Sequence, residues 1–467
     1  PARAGHGRLE VRAGDGWKPL PVHGVNLGAA LPGRFPSRFP EDSVYRRWLG
    51  RMAEAGFNAV RVYTIHPPGF FRALAELNRR RPGEPLWLIH GVWASLPSGD
   101  RFDAPAYDSA FRAEMRRAVD VVHGRASLRP RPGHASGHYT ADVSRWTLAW
   151  VLGREWEPHA VRAFDRHVRG GWWKRLLRRL GLVDEVGRFR GRFVRVEDGT
   201  PMEAWLARAC ERIVAYEMER YRAQRPVAYT NWPTLDPLRH PTETTVEEEM
   251  EIRRGMGEDP ELRPREYDND AVSLDATRME ATEELPAGVF AAFHAYPYYP
   301  DFMVLDPGYR EARSPWGDSN YWGYLRELVE HHGSMPVLVA EYGVPTGPGI
   351  AHLQPQGWHH GGHDEEAMAR IDARLTREIL AAGTAGGAVF AWIDEWFKKN
   401  WLVIDFEVPP DRNRTWWNRL DPEQQYGMWA MEPEPPVEGE TVEERTDAWA
   451  GRDPVLDGPG GAALRAA

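Results

Sequence analysis

Short apolar runs recur along the 467-residue chain, each followed by a helical or irregular connection. Eight are present: Pro21–Gly28, Ala59–Thr64, Leu86–Trp93, Thr147–Glu155, Pro226–Trp232, Val289–Tyr296, Pro336–Gly343 and Gly387–Trp396. Parallel neighbours need a crossover long enough to hold a helix, so this alternation is what a closed parallel barrel requires. The pattern predicts an α/β fold, a (β/α)8 TIM barrel with an N-terminal hairpin and long βα-loop insertions. Helices are predicted at Glu41–Ala55, Gly69–Arg80, Pro105–His123, Met202–Arg222, Tyr321–His331 and Glu365–Ala382, most of them opening after Pro, Asp, Ser or Gly. Gly14-Asp15-Gly16 separates two strand-like runs, so residues 1–21 read as a hairpin plugging the barrel floor. Residues 22–397 then form the barrel. Its long connections, 158–200, 233–288 and 346–363, all follow strands and so belong on the face where barrel enzymes keep their sites. Residues 398–467, rich in Pro, Glu and Trp, read as a wrapping segment whose tail frays after about Pro436.

Side chains alternate along a strand, so a polar residue at the carboxyl end of an apolar run points into the barrel mouth. In Val337-Leu338-Val339-Ala340-Glu341, the glutamate shares a face with Val337 and Val339 and ends the seventh run. Its burial is costly without partners or a task, the plainer alternative being a structural ion pair with an inward arginine. In the fourth run, small Ala149, Val151 and Gly153 share a face with Glu155, while Leu148, Trp150 and Leu152 face the other way. Glu157 has the same parity but lies beyond the strand beside Pro158, which leaves two candidates for a second carboxylate, Glu155 preferred. Strands four and seven face each other across such a barrel. Two carboxyls about 5 to 5.5 Å apart can act as nucleophile and acid/base, whereas a wider gap admits a water. Arg61 and Tyr63 end the second run, and Arg61 is placed to hold Glu341 ionised. His294 and Tyr296 end the sixth. Asn26, His90, Asn231, Trp232, Trp392 and Asp394 complete the strand-end set expected to contact substrate.

Composition narrows the field. A net charge of −9 argues against a nucleic-acid partner, despite the basic run of Lys174, Arg175, Arg178 and Arg179. No apolar run reaches the eighteen or so residues of a membrane span. Cys210 stands alone, so the chain holds no intrachain disulfide and no cysteine-based metal cluster. Twenty-one tryptophans are an unusual load, suited partly to the core and partly to stacking on sugar rings. His352, His359, His360 and His363 share one loop, but their spacing fits no standard zinc or copper pattern, so no metal and no cofactor is expected.

The runs VHGVNLG, NAVRVYT, TLAWVLGREWEP, HAYPYYP, VLVAEYG and FAWIDEW resemble those of retaining glycoside hydrolases of clan A, over roughly residues 8–397. The resemblance implies a strand-seven nucleophile, Glu341, and a strand-four acid/base, Glu155, acting on a β-linked oligo- or polysaccharide. The opening GVNLG and NAVRVYTIHPP are also similar to β-1,3-glucanosyltransferases, which implies transfer as an alternative to hydrolysis. One position departs from the clan: Arg154 stands where an asparagine usually precedes the acid/base. That departure keeps Glu157 open as the acid/base and a non-catalytic carbohydrate-binding barrel open as a reading. A secreted or extracytoplasmic location is the leaning, since a leader could have been removed ahead of Pro1.

Overall fold

Eight parallel strands close into a barrel in chain order: β1 (Val22–Leu27), β2 (Ala59–Val62), β3 (Trp87–Val92), β4 (Thr147–Leu152), β5 (Val227–Asn231), β6 (Ala291–His294), β7 (Val337–Tyr342) and β8 (Gly386–Val389). Each pairs with the next, and β8 returns to β1 with Gly386 opposite Val22. This computed structural model describes residues 1–34, 38–170, 186–242, 254, 272–400, 402–409, 412–413, 415–429 and 431. The eight runs predicted from the sequence are these strands, and the barrel is a (β/α)8 TIM barrel.

Around it lie α1 (Asp42–Glu54), α2 (Pro68–Arg80), α3 (Pro105–Val122), α4 (Pro158–Arg169), α5 (Pro201–Tyr221), α6 (Asn320–His332) and α7 (Glu365–Ala381). Helix α4 was hidden inside the expected 158–200 connection. Its first residue is Pro158, whose fixed φ and missing N–H suit the first helical turn. Helix α5 starts with a capping box, in which the Thr200 side chain accepts from Glu203 N and the Glu203 side chain accepts from Thr200 N. No helix among the described residues is long and apolar enough to cross a membrane.

Two apolar layers result from strand alternation. Ala59, Ile89, Ala149, Val151, Ala228, Ala292, Leu338 and Ala340 pack inside the barrel, and Val60, Leu88, Trp150, Tyr229, Phe293 and Val339 pack against the helices. Ala2–Gly5, Arg8–Ala13 and Gly16–Pro19 form an antiparallel sheet whose Ala2, Leu9 and Val11 join the interior layer. Within the expected 346–363 connection, Gly347–Ile350 and Gly361–His363 pair as a hairpin. Parts of the other connections, 171–185 with its basic run and 243–253 with 255–271, lie outside the described residues, as does the tail from 432.

Strand β4 is tied down from outside by a buried charge network. Arg225 donates to Glu217 of α5 and, through Nη1, to the carbonyls of Ser144 and Thr147, each at 2.8 Å. Trp150 Nε1 donates to Glu217 at 2.9 Å, and His123 lies 2.8 Å away. Burial opposes ionisation of Glu217, but Arg225, His123 and Trp150 outweigh it and hold the carboxyl down at about 2. Arg225→Met leaves this carboxylate without its cation, and a loss of about 3 to 5 kcal/mol in urea unfolding is expected. Replacing Glu217 as well, by Leu, should restore much of that loss.

Candidate active site

At the carboxyl ends of the strands a cavity of about 670 Å³ opens, with Glu341, Glu155 and His294 on its walls. Glu341 gets there by an irregularity rather than by simple alternation. Val337 and Val339 pack with the helices and Leu338 and Ala340 pack inside, so the phase that strict parity assigned to Glu341 is reversed over most of β7. The register against β8 shifts between Val339 and Tyr342. This bulge turns Glu341 into the mouth, while Tyr342 OH pairs with Thr376 Oγ1 of α7 at 2.7 Å.

Glu341 is 6% exposed and held by three side chains from the ends of two strands, β2 and β6. Its Oε1 accepts from Arg61 Nη1 at 3.2 Å and from Tyr63 OH at 2.6 Å, and its Oε2 accepts from Tyr296 OH at 2.8 Å. Asn26 sits below: its Nδ2 donates to the carbonyls of Ala340 and Ala388, both at 2.9 Å, and its Oδ1 accepts from Arg61 at 2.9 Å. Asn26 therefore aims Arg61 rather than contacting the cavity itself.

Arg61 also faces His294, with Nη2 2.9 Å from Nε2. A guanidinium only donates, so this nitrogen of His294 accepts, and Nδ1 carries the proton donated to Glu155 Oε1 at 2.8 Å. One hydrogen-bonded line thus runs from Asn26 through Arg61 and His294 to Glu155. Burial alone would raise the Glu341 carboxyl. With His294 neutral in this tautomer, the Arg61 and Lys398 cations and the Tyr63 hydroxyl are what oppose burial, and the carboxyl is held below the ordinary carboxylate range.

The carboxylate oxygens of Glu155 and Glu341 and a His294 nitrogen all lie within 4.8 Å of one another. Among the described residues this is the one convergent group of three such donors. It suits a metal poorly, because Arg61 already donates to both His294 and Glu341 and would oppose a second cation there. Glu157 also lines the cavity but is outside the convergent group, its Oε1 3.3 Å from Arg154 Nη2. Arg154 is further fixed by donation from Nε to the Glu155 carbonyl at 2.9 Å, and its guanidinium lies 5.5 Å from the Trp93 ring centre.

Of the other expected contacts, Tyr63, Trp232, His294 and Tyr296 line the cavity. Trp232 Nε1 donates to the Trp156 carbonyl at 3.0 Å, and its ring stacks with Tyr299. Four expectations are corrected. His90 faces outward with Leu88, stacked on Phe71 of α2, and burial pushes its imidazole down to about 4. Asn231 faces the same way as Tyr229 and donates to the Leu274 carbonyl at 2.8 Å. Strand β8 stops at Val389, so Trp392 and Asp394 lie beyond it: Trp392 packs on Trp429, and Asp394 accepts from Gly427 N and Trp396 Nε1. The inward positions are instead Trp93, two residues after Gly91, and Phe390, both of which line the cavity.

Tyr298, Glu395, Lys398, Glu423 and Tyr426 also line it and were missed. The last three come from the segment without periodicity, which carried no signal. The four loop histidines divide: His352 and His360 stack in parallel on the cavity wall, with His360 against Tyr298, while His359 accepts from Gln354 N and stacks near His363.

No protein-family model and no curated protein sequence matches the chain. Solved structures do. β-Glucuronidase 2 of Bacteroides uniformis is 11% identical at a TM-score of 0.41, over 81% of this chain and 32% of its own. The β-glucuronidase of Ruminococcus gnavus is 10% identical at 0.45, over 91% and 50%. The endo-1,4-β-mannanase of Rhizomucor miehei is 11% identical at 0.43, over 84% and 90%. The chain thus spans a third to a half of the two glucuronidases.

The depressed Glu341 carboxyl has a consequence for stability. Its ionisation favours the fold at every pH above the unfolded value of about 4.3, and that contribution is lost as pH falls through the lower folded value. Relative to Glu341→Gln, the parent should hold a constant difference in unfolding free energy above about pH 5 and lose ground below about pH 4. Urea titrations across this range check it. A difference that stays flat throughout contradicts the assignment.

Proposed function

We propose that the chain is a glycoside hydrolase of the clan A type, cleaving a β-linked oligo- or polysaccharide with retention of configuration. The observation that carries this reading is the approach of Glu155 and Glu341 oxygens to within 4.8 Å across the cavity, in a setting that keeps Glu341 ionised. An approach this close favours double displacement over a mechanism that seats a water between carboxylate and sugar.

In the first step Glu155 protonates the glycosidic oxygen while Glu341 attacks the anomeric carbon, and the C–O bond to the leaving group breaks. A glycosyl ester on Glu341 results. In the second step the Glu155 carboxylate takes a proton from water, the water oxygen bonds to the anomeric carbon, and Glu341 departs as a carboxylate. Two inversions give retention. Arg61, Tyr63 and Tyr296 hold the departing carboxylate by the bonds they already make to it. Glu155 is preferred over Glu157 because it belongs to the convergent group and Glu157 is turned to Arg154.

Transfer to a second sugar is the alternative, favoured by the Trp93, Trp232 and Tyr299 rings on the wall of the same cavity, which offer an acceptor platform. Product analysis with an added acceptor sugar separates the two outcomes.

Glu341→Gln should lower kcat by several orders of magnitude with the fold intact by circular dichroism. Glu155→Ala should retain turnover of aryl glycosides with good leaving groups and recover rate with azide, yielding a β-glycosyl azide, while Glu157→Gln stays within about tenfold of the parent. Azide rescue in a Glu157 variant instead would move the acid/base role there. A 2-deoxy-2-fluoro glycoside adduct should map to Glu341 by mass spectrometry, and sugar binding with neither adduct nor product would leave a non-catalytic barrel.

A further inference from the structure

The steps above leave part of the cavity wall unused. Phe390 lies there, and Lys398 places its ammonium 4.0 Å from the centre of that ring. The same ammonium is 3.3 Å from Glu395 Oε2 and 3.8 Å from Glu423 Oε2. Glu395 is 8% exposed and presses on the backbone of β1's end. A Cβ at Gly28 would stand 2.2 Å from Glu395 Oε1, so only glycine there leaves the carboxylate its place. Glu423 is fixed from its other side, with Oε1 3.2 Å from His360 Nε2.

The charge balance of this wall is decisive. Glu341, Glu395 and Glu423 surround one lysine. Burial raises the Glu395 carboxyl, Lys398 works against that, and the negative charge of Glu341 and Glu423 adds to the rise. His360 and Lys398 outweigh burial for Glu423 and hold it down at about 2. The remaining cations have occupations elsewhere: Arg61 with Asn26, His294 and Glu341; Lys399 with Glu407 at 2.7 Å; Arg154 with Glu157. Among the described residues, a carboxylate brought in on a sugar would find no unshared cation on this wall and two or three like charges. Hydroxyl groups would find acceptors in Glu395 and Glu423 and a donor in Lys398.

We infer that Glu395, Lys398 and Glu423 form a glycone subsite that reads the hydroxyls of an uncharged sugar and rejects a uronic acid, with Glu395 as the specificity-determining residue. This rests on the glycosidase reading and goes beyond it by naming the substrate class as neutral β-glycosides.

The test compares two iminosugars that share a ring cation, isofagomine and its C6-carboxylate analogue, by calorimetric titration and thermal shift on the full chain. The neutral compound should bind at least about tenfold more tightly. Glu395→Gln keeps the hydrogen-bonding shape and removes the charge, and should narrow the preference by about tenfold. Glu423→Gln serves the same purpose if the first variant fails to fold. Equal or tighter binding of the carboxylate analogue to the parent overturns the inference while leaving the glycosidase reading intact. So does a preference unchanged in both folded variants. Binding of neither compound at millimolar concentration, with no fluoroglycoside adduct on Glu341, sinks the glycosidase reading itself and the subsite with it.

Discussion

A guanidinium buried at the top of the barrel organises everything above it. Arg61 is 2% exposed, and an unpaired charge there would cost several kcal/mol. It is tolerated because Asn26, Glu341 and His294 each take one of its donors. Each partner is in turn placed by that demand. Asn26 locks β1 to the carbonyls of β7 and β8, Glu341 is drawn into the mouth, and His294 receives the tautomer that reaches Glu155. Structural and chemical requirements coincide in one residue, so the carboxylate pair is positioned by the same bonds that make the buried cation acceptable.

The strands were legible because burial on two faces leaves an uninterrupted apolar run, and eight such runs at helix-length spacing admit few other architectures. Which strand-end residue points inward was less legible. Arg61 and His294 followed alternation within their strands, and Tyr63, Glu155 and Tyr296 continue the same inward phase just past the ends of theirs. Glu341 faces the cavity for a reason other than simple alternation, because the β7 bulge reverses its phase after Ala340. His90 and Asn231 show the converse: each is a polar residue in the carboxyl half of its strand, yet each lies one residue out of phase with the inward set and serves the helix layer. Polarity at a strand end marks a boundary, and only parity counted from the known interior residues says which side it serves.

The C-terminal part of the site was invisible for a different reason. Lys398, Glu423 and Tyr426 belong to a segment held by scattered bonds, side-chain ones such as Gln424 Nε2 to the carbonyls of Trp396 and Lys398 and backbone ones such as Ala391 N to the carbonyl of Tyr426 and Met428 N to that of Ala391. Structure of that kind has no period, so no pattern of apolar positions betrays it. Trp392 and Asp394 were misread on the same account, since β8 gives way to this irregular path after Val389 and the apolar run continues past the strand.

Closure of the barrel and enclosure of its cavity are therefore separate events along the chain. The sheet is complete once Val389 pairs with Val25, but the chamber above it gains Glu423 and Tyr426 only more than thirty residues later. In the glycosidase reading proposed above, the carboxylate pair sits at the mouth that the hydrogen-bonded cylinder defines, whereas part of the cavity wall is borrowed from the C-terminal strap. Exchange of that strap can redraw the chamber's shape and charge without touching a single barrel strand. On the proposed reading, a scaffold arranged in this way keeps the carboxylate pair with the barrel and leaves part of the sugar-facing wall to a cover that can be exchanged.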